Sequence, residues 1–142
     1  IEAQAEVQAE ATAQVQTPSV LVVDDDPMIA DFIALVLRKA GYLPTTSVTL
    51  KGAQQQLQET HYDAMVTDLR LQDGHGLNLI REVRAQAALA HMPILVVSAY
   101  CDEGQRLTHG QVDEFLAWLD KPVDEKKLLS MLDAVMNRAR AK

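Results

Sequence analysis

The sequence predicts an α/β fold, a five-stranded parallel sheet with helices on both faces. Three observations predict it. Apolar runs at residues 20–23, 64–66 and 94–97 are short, bounded by turn residues and apolar throughout, as strands buried on both faces are. Stretches with apolar residues at helical spacing alternate with them, the pattern of a sheet built from strand–helix–strand units. Each run also leads into polar residues: Asp24, Asp25 and Asp26 after the first, Asp68 after the second, Ser98 after the third, and Asp120-Lys121-Pro122 after a further run at 116–119. Right-handed crossovers put all these strand ends on one edge, which is where open α/β sheets bind ligands.

In chain order, residues 1–17 are mostly Ala, Gln, Glu and Val, too poor in large apolar side chains to bury a face. They are expected to form a linker, helical or disordered, entering a domain at 18–142 from something before it; the start at Ile rather than Met agrees. Residues 19–23 form the first strand. Asp26 is placed to cap a helix that Pro27 begins, with Ile29, Ile33, Val36 and Leu37 on its inner face and Gly41 just past its end. Residues 42–47 read as a second, shorter strand and 49–60 as a helix with Leu50, Ala53 and Leu57 inward. The third strand spans 63–68, and the next helix 77–88. The fourth strand opens at Met92-Pro93 and ends at Ser98. Residues 100–110 are the weakest stretch, because apolar residues are sparse and Gly104 and Gly110 disfavour a helix. The fifth strand falls within 112–119, and 124–139 forms the last helix, with Leu128, Leu129, Leu132, Val135 and Met136 as its core face.

At 142 residues, 48% apolar and 23% charged, the chain is one globular domain plus a tail. No apolar run reaches membrane-spanning length, and the first residues are too polar for a signal peptide. The single cysteine, Cys101, excludes an internal disulfide and fits a reducing, cytoplasmic compartment. A net charge of -7 with no basic run argues against nucleic-acid binding. Arg138, Arg140 and Lys142 suit the end of a helix instead.

Carboxylates arriving from adjacent strand ends repel one another unless a cation is shared. An oxygen-only ligand set points to Mg²⁺ rather than zinc, since His61, His75, His91 and His109 are scattered and read as surface or turn residues. A carboxylate beside Mg²⁺ can act as a nucleophile toward phosphorus, with the metal and a lysine neutralising the transferring group. Taken singly, the acids fit a helix cap and a turn, Ser98 a small residue at a strand end, and Lys121-Pro122 a turn. Their shared position at one sheet edge, in order along the chain, makes them a site.

This set resembles the receiver domain of two-component response regulators, over residues 19–139. The resemblance implies a flavodoxin-like sheet of order 2-1-3-4-5. It also implies phosphoryl transfer to Asp68 from a phosphohistidine on a histidine kinase or histidine phosphotransfer domain. Asp25 and Asp68 would ligate Mg²⁺ with the backbone carbonyl of Arg70, while Asp24 would act mainly through water. Lys121 would pair with the phosphoryl oxygens and Ser98 would swing in to bond one of them. The Lys121-Pro122 bond is expected to be cis. Trp118 would stand at the family's switch aromatic, unless it is a plain core ring. Arg70 and Tyr100, two after Asp68 and two after Ser98, would slow loss of the phosphoryl group. Such a domain catalyses its own phosphorylation and dephosphorylation, needs neither nucleic acid nor membrane insertion, and is compatible with a homodimer.

Three positions depart from the family pattern. Gln72 stands where proline is usual, which implies a looser loop after Asp68. Residues 100–114 do not look like the usual fourth helix, and Trp118 replaces the usual Tyr or Phe. One rival reading is a phosphohydrolase of the haloacid-dehalogenase type with Asp24-x-Asp26 as nucleophile motif. It lacks an acidic motif beyond Asp124 and Glu125 and leaves Asp68 without a role. Another is a pseudo-receiver that only docks, against which the full residue set argues. A linker before the first strand and Trp-Leu-Asp-Lys-Pro near the end suggest the carboxyl-terminal receiver of a hybrid sensor histidine kinase. A stand-alone or amino-terminal response-regulator receiver is the alternative setting.

Overall fold

Strands β1 (Ser19–Val23), β2 (Leu43–Ser47), β3 (Ala64–Thr67), β4 (Ile94–Ser98) and β5 (Leu116–Asp120) pair in parallel in the order β2-β1-β3-β4-β5. Helices α1 (Pro27–Lys39), α2 (Leu50–Glu59), α3 (Gly76–Ala85), α4 (Cys101–Leu107) and α5 (Glu125–Arg140) connect and follow them. The computed structural model describes residues 17–109 and 113–141. The expected linker lies almost wholly outside the described residues, as does Val112 at the start of the expected fifth-strand region.

The central strands are apolar throughout because each faces two cores. Val20, Val22, Ala64, Val66, Leu95 and Val97 pack against α1 and α5. Their neighbours Leu21, Val23, Met65, Ile94 and Val96 pack against α2, α3 and α4. Successive side chains on a strand point to opposite faces, so an unbroken apolar run serves both layers. Edge strand β2 is less buried and carries Pro44, which removes a donor where the sheet meets solvent.

Local signals set the helix starts. Asp26 caps α1 by accepting from Met28 N, and Thr49 and Asp124 cap α2 and α5 in the same way. Buried Ile33, Val36 and Leu37 follow the expected face of α1, whereas Ile29 is half-buried. The helix expected over 77–88 ends at Ala85, because Gln86 turns extended and a short 3₁₀ turn, Ala87–Leu89, follows.

Two regions differ from what the sequence alone suggests. A seven-residue helix forms at α4 despite Gly104. A Cβ there would sit 2.6 Å from the Trp118 ring and 2.7 Å from Leu69 Cδ1, so the glycine that weakens the helix in isolation lets it seat on the core. The loop after Asp68 is not loosened by Gln72, which is exposed. A small antiparallel ribbon pairs Arg70 with His75 and Leu71 with Gly74. Asp73 accepts from Leu50 N and Lys51 N at 2.8 and 3.0 Å, fastening the loop to α2.

Candidate functional site

The sheet register delivers the site. Val23 lies opposite Thr67, so the next residues, Asp24 and Asp68, emerge side by side. Asp68 N donates to Val23 O at 2.9 Å, and Asp24 N to Ser47 O at 3.1 Å, which continues the ladder past the strands. At the far side Lys121 N donates to Ser98 O at 3.1 Å. The Lys121 side chain then crosses back over the edge. Its Nζ donates to Asp24 Oδ2 at 2.9 Å and to Asp68 Oδ2 at 2.8 Å.

Asp24 is 1% exposed and Asp68 7%, so neither carboxylate is screened by bulk water. Burial pushes the Asp24 carboxyl up, and this outweighs the hydrogen bond from Asp26 N and the pull of Lys121. Burial alone would lower the Lys121 ammonium; its bonds to Asp68 and Asp24 outweigh that and leave it raised. An isolated ion pair would lower its acid. Here one ammonium is divided between two acids, and Asp24, the more deeply buried, stays undercompensated.

Carboxylate oxygens of Asp24, Asp25 and Asp68 lie within 4.8 Å of one another. Three acids facing one lysine, with oxygen as the only donor type, fit a hard divalent cation that keeps some of its waters. Asp26 stands apart: it is exposed and caps α1 through Met28 N at 3.0 Å, so the Asp24-x-Asp26 pair does not form one catalytic unit.

Ser98 is fully buried and its Oγ accepts from Tyr100 N at 3.0 Å, bracing the turn into α4. The bond from Lys121 to Pro122 is cis, as expected. Trp118 is half-buried beneath α4 at Gly104. Arg70 and Tyr100, exposed at neighbouring strand ends, stack with the guanidinium 3.8 Å from the ring centre.

A profile of the response regulator receiver domain matches residues 20–133. The chain belongs to that family. The receiver domain is 31% identical over 124 residues to the transcriptional regulatory protein GltR of Pseudomonas aeruginosa, covering 86% of this chain and 50% of that protein. It is 30% identical over 122 residues to the phosphate regulon regulatory protein PhoB of Klebsiella pneumoniae, covering 84% and 52%. It thus spans about half the length of these relatives. Among solved structures, a sensor protein from Polaromonas sp. JS666 matches with a TM-score of 0.78 at 32% identity, over 86% of this chain and 98% of that one. The receiver domain of a sensor histidine kinase from Pseudomonas aeruginosa PAO1, with a magnesium ion in its active site cleft, matches with a TM-score of 0.74 at 27% identity, over 84% and 98%.

The receiver domain therefore has a phosphoacceptor fold of two-component signalling, and the phosphohydrolase reading is not favoured. Its edge gathers Asp24, Asp25, Asp68 and Lys121, with Ser98 on the next strand end. Sequence reasoning missed three contributors. Glu103 accepts from Arg70 Nη2 at 2.6 Å and approaches His75 Nε2 at 3.3 Å. The Arg70 guanidinium, with help from His75, holds the Glu103 carboxyl below its ordinary range. Gly76 N donates to Leu69 O at 2.5 Å, and a Cβ on Gly76 would lie 2.1 Å from the Asp68 carbonyl oxygen. No periodicity or motif marks such contacts; only the DGHG turn hinted at the glycine.

Proposed function

We propose that Asp68 takes a phosphoryl group from a phosphohistidine on a histidine kinase or histidine phosphotransfer domain. Mg²⁺ would be held by Asp25, Asp68 and the backbone carbonyl of Arg70, with Asp24 acting mainly through water. The observation that carries this reading is the Lys121 ammonium bonded at once to Asp24 and Asp68 on the ligand-binding edge of the sheet. When bound, Mg²⁺ neutralises charge on the carboxylates and on the transferring group.

This chain's own residues do the rest. Leu69 N donates to Asp68 Oδ1 at 2.6 Å and Lys121 to Oδ2, which fixes the carboxylate plane for attack. A P–O bond to Asp68 forms as the P–N bond breaks, and the electron pair stays on the histidine nitrogen. Lys121 then pairs with a phosphoryl oxygen. Turning Ser98 Oγ toward another would release Tyr100 N, and so would pass the change to the first turn of α4. Trp118, seated against Gly104 of that helix, serves as the switch aromatic.

A partner surface adjoins the site. Met28, Phe32 and Leu35 are 81%, 42% and 51% exposed and share one face of α1, whose first turn is capped at the acidic edge. An exposed apolar stripe of this kind suits a helical partner presenting its histidine.

The setting we favour is a cytoplasmic hybrid sensor histidine kinase, in which residues 1–17 are a linker to a domain at 18–142 that contacts no nucleic acid and is compatible with a homodimer. Similarity to a sensor protein and to a sensor kinase's receiver supports it. A response-regulator receiver is the second reading, which the transcriptional regulators GltR and PhoB favour. Among the described residues no helix is long and apolar enough to cross a membrane.

The experiment is incubation with a small-molecule phosphodonor and Mg²⁺, followed by mass mapping. We expect one phosphate, on Asp68, and none on Asp68→Asn. A phosphate elsewhere in the wild type, or full labelling of Asp68→Asn, overturns the reading.

A further inference from the structure

We propose that Glu103 is a positioning residue for the phosphoryl site. It holds the Arg70 guanidinium across the gap between the Asp68 and Ser98 strand ends and so prolongs the life of the phosphoryl group. The proposal rests on Asp68 being the phosphoacceptor and names a residue through which that site is regulated.

Arg70 follows Asp68 by two residues and Tyr100 follows Ser98 by two, on neighbouring strands β3 and β4. Their stack therefore bridges the two loops that carry the acceptor and the hydroxyl. An arginine half open to solvent has many rotamers and would not stay there unaided. Glu103 fixes it: Arg70 Nε and Nη2 donate to Glu103 Oε2 at 3.1 and 2.6 Å. Glu103 is itself held. His75 Nδ1 accepts from Leu77 N at 3.2 Å, so the ring proton is on Nε2 and donates to Glu103 Oε1 at 3.3 Å. The ribbon pairing of Arg70 with His75 sets both side chains beside the same carboxylate.

Hydrolysis requires a water in line with the phosphorus–oxygen bond, and a guanidinium fixed over the loop mouth obstructs that approach. Glu103 also lies in the first turn of α4, next to Gly104, which rests on Trp118 and Leu69. The same carboxylate thus ties the loop after the acceptor to the helix that reads it.

The test compares phosphate loss from wild type, Glu103→Gln, Arg70→Gln and the double variant, each labelled with a small-molecule phosphodonor and Mg²⁺ and mapped by mass. The ion pair is partly exposed, so Glu103→Gln should speed loss by about two- to fivefold. Arg70→Gln should do at least as much, and the double variant should match Arg70→Gln, because Glu103 acts through Arg70. Thermal midpoints should not move with the rates. Label on Asp68 with equal lifetimes in all four proteins, or single effects that multiply in the double variant, overturns the proposal alone. Absence of label on wild-type Asp68 overturns the phosphoacceptor reading and the proposal with it.

Discussion

The Arg70 guanidinium lies 3.8 Å over the centre of the Tyr100 ring, so the residues two after Asp68 and two after Ser98 touch each other. On the function proposed above, neither would offer a carboxylate or amide to orient an attacking water, and together they would cover its approach. We expect slow phosphate loss in the wild type and faster loss in Arg70→Asn and in Tyr100→Glu. Equal rates in all three would show that the water path is unguarded.

Asp25 is the half-buried member of the acidic trio, and Lys121 does not reach it. Asp25→Ala should therefore abolish Mg²⁺ binding while leaving the Lys121 bridge in place. Calorimetric titration measures this directly, and Trp118 fluorescence can follow the same titration. Unchanged Mg²⁺ affinity in the variant would remove Asp25 from the ligand set.

Asp24 is an acid whose carboxyl is raised by burial in the fold, so ionising it works against folding. The stability it contributes is full below the ordinary aspartate value of 3.8 and is lost as pH rises through the folded value. Asp24→Asn keeps an oxygen for Asp26 N and removes the charge. In the presence of a chelator it should be more stable than wild type at pH 7. The gap should close as the pH falls through 3.8. Denaturant melts at both pH values check this, and a wild type that is the more stable at pH 7 would contradict it.

Gly76 approaches the Asp68 backbone more closely than any other residue type allows, with a built Cβ 2.1 Å from the carbonyl oxygen. Because the obstacle is backbone, Gly76→Ala must displace the loop after Asp68. A cost of about 1–3 kcal/mol in stability and a slower phosphorylation of Asp68 are expected. A variant labelled at the wild-type rate would show that the loop tolerates the shift.

Much of the site was legible because strand ends are. The apolar runs ending at Val23, Val66 and Val97 announce buried strands, and parallel pairing with right-handed crossovers leaves the polar residues that follow them no other edge. The Asp26 cap with Pro27 after it fixed the start of α1 in the same local way.

The sequence by itself placed the acidic pair, Asp68, Ser98 and Lys121 at strand ends on one edge, because each follows from a signal a few residues long. The tertiary structure decided what those signals cannot contain. It decided that α4 forms over a glycine, since a Cβ at position 104 would meet the Trp118 ring and Leu69 and the glycine lets the helix seat there. It also brought Glu103 to Arg70 and His75, 33 and 28 residues away in the chain. Contacts at such separation depend on how whole elements pack, and no local pattern of residue types records them.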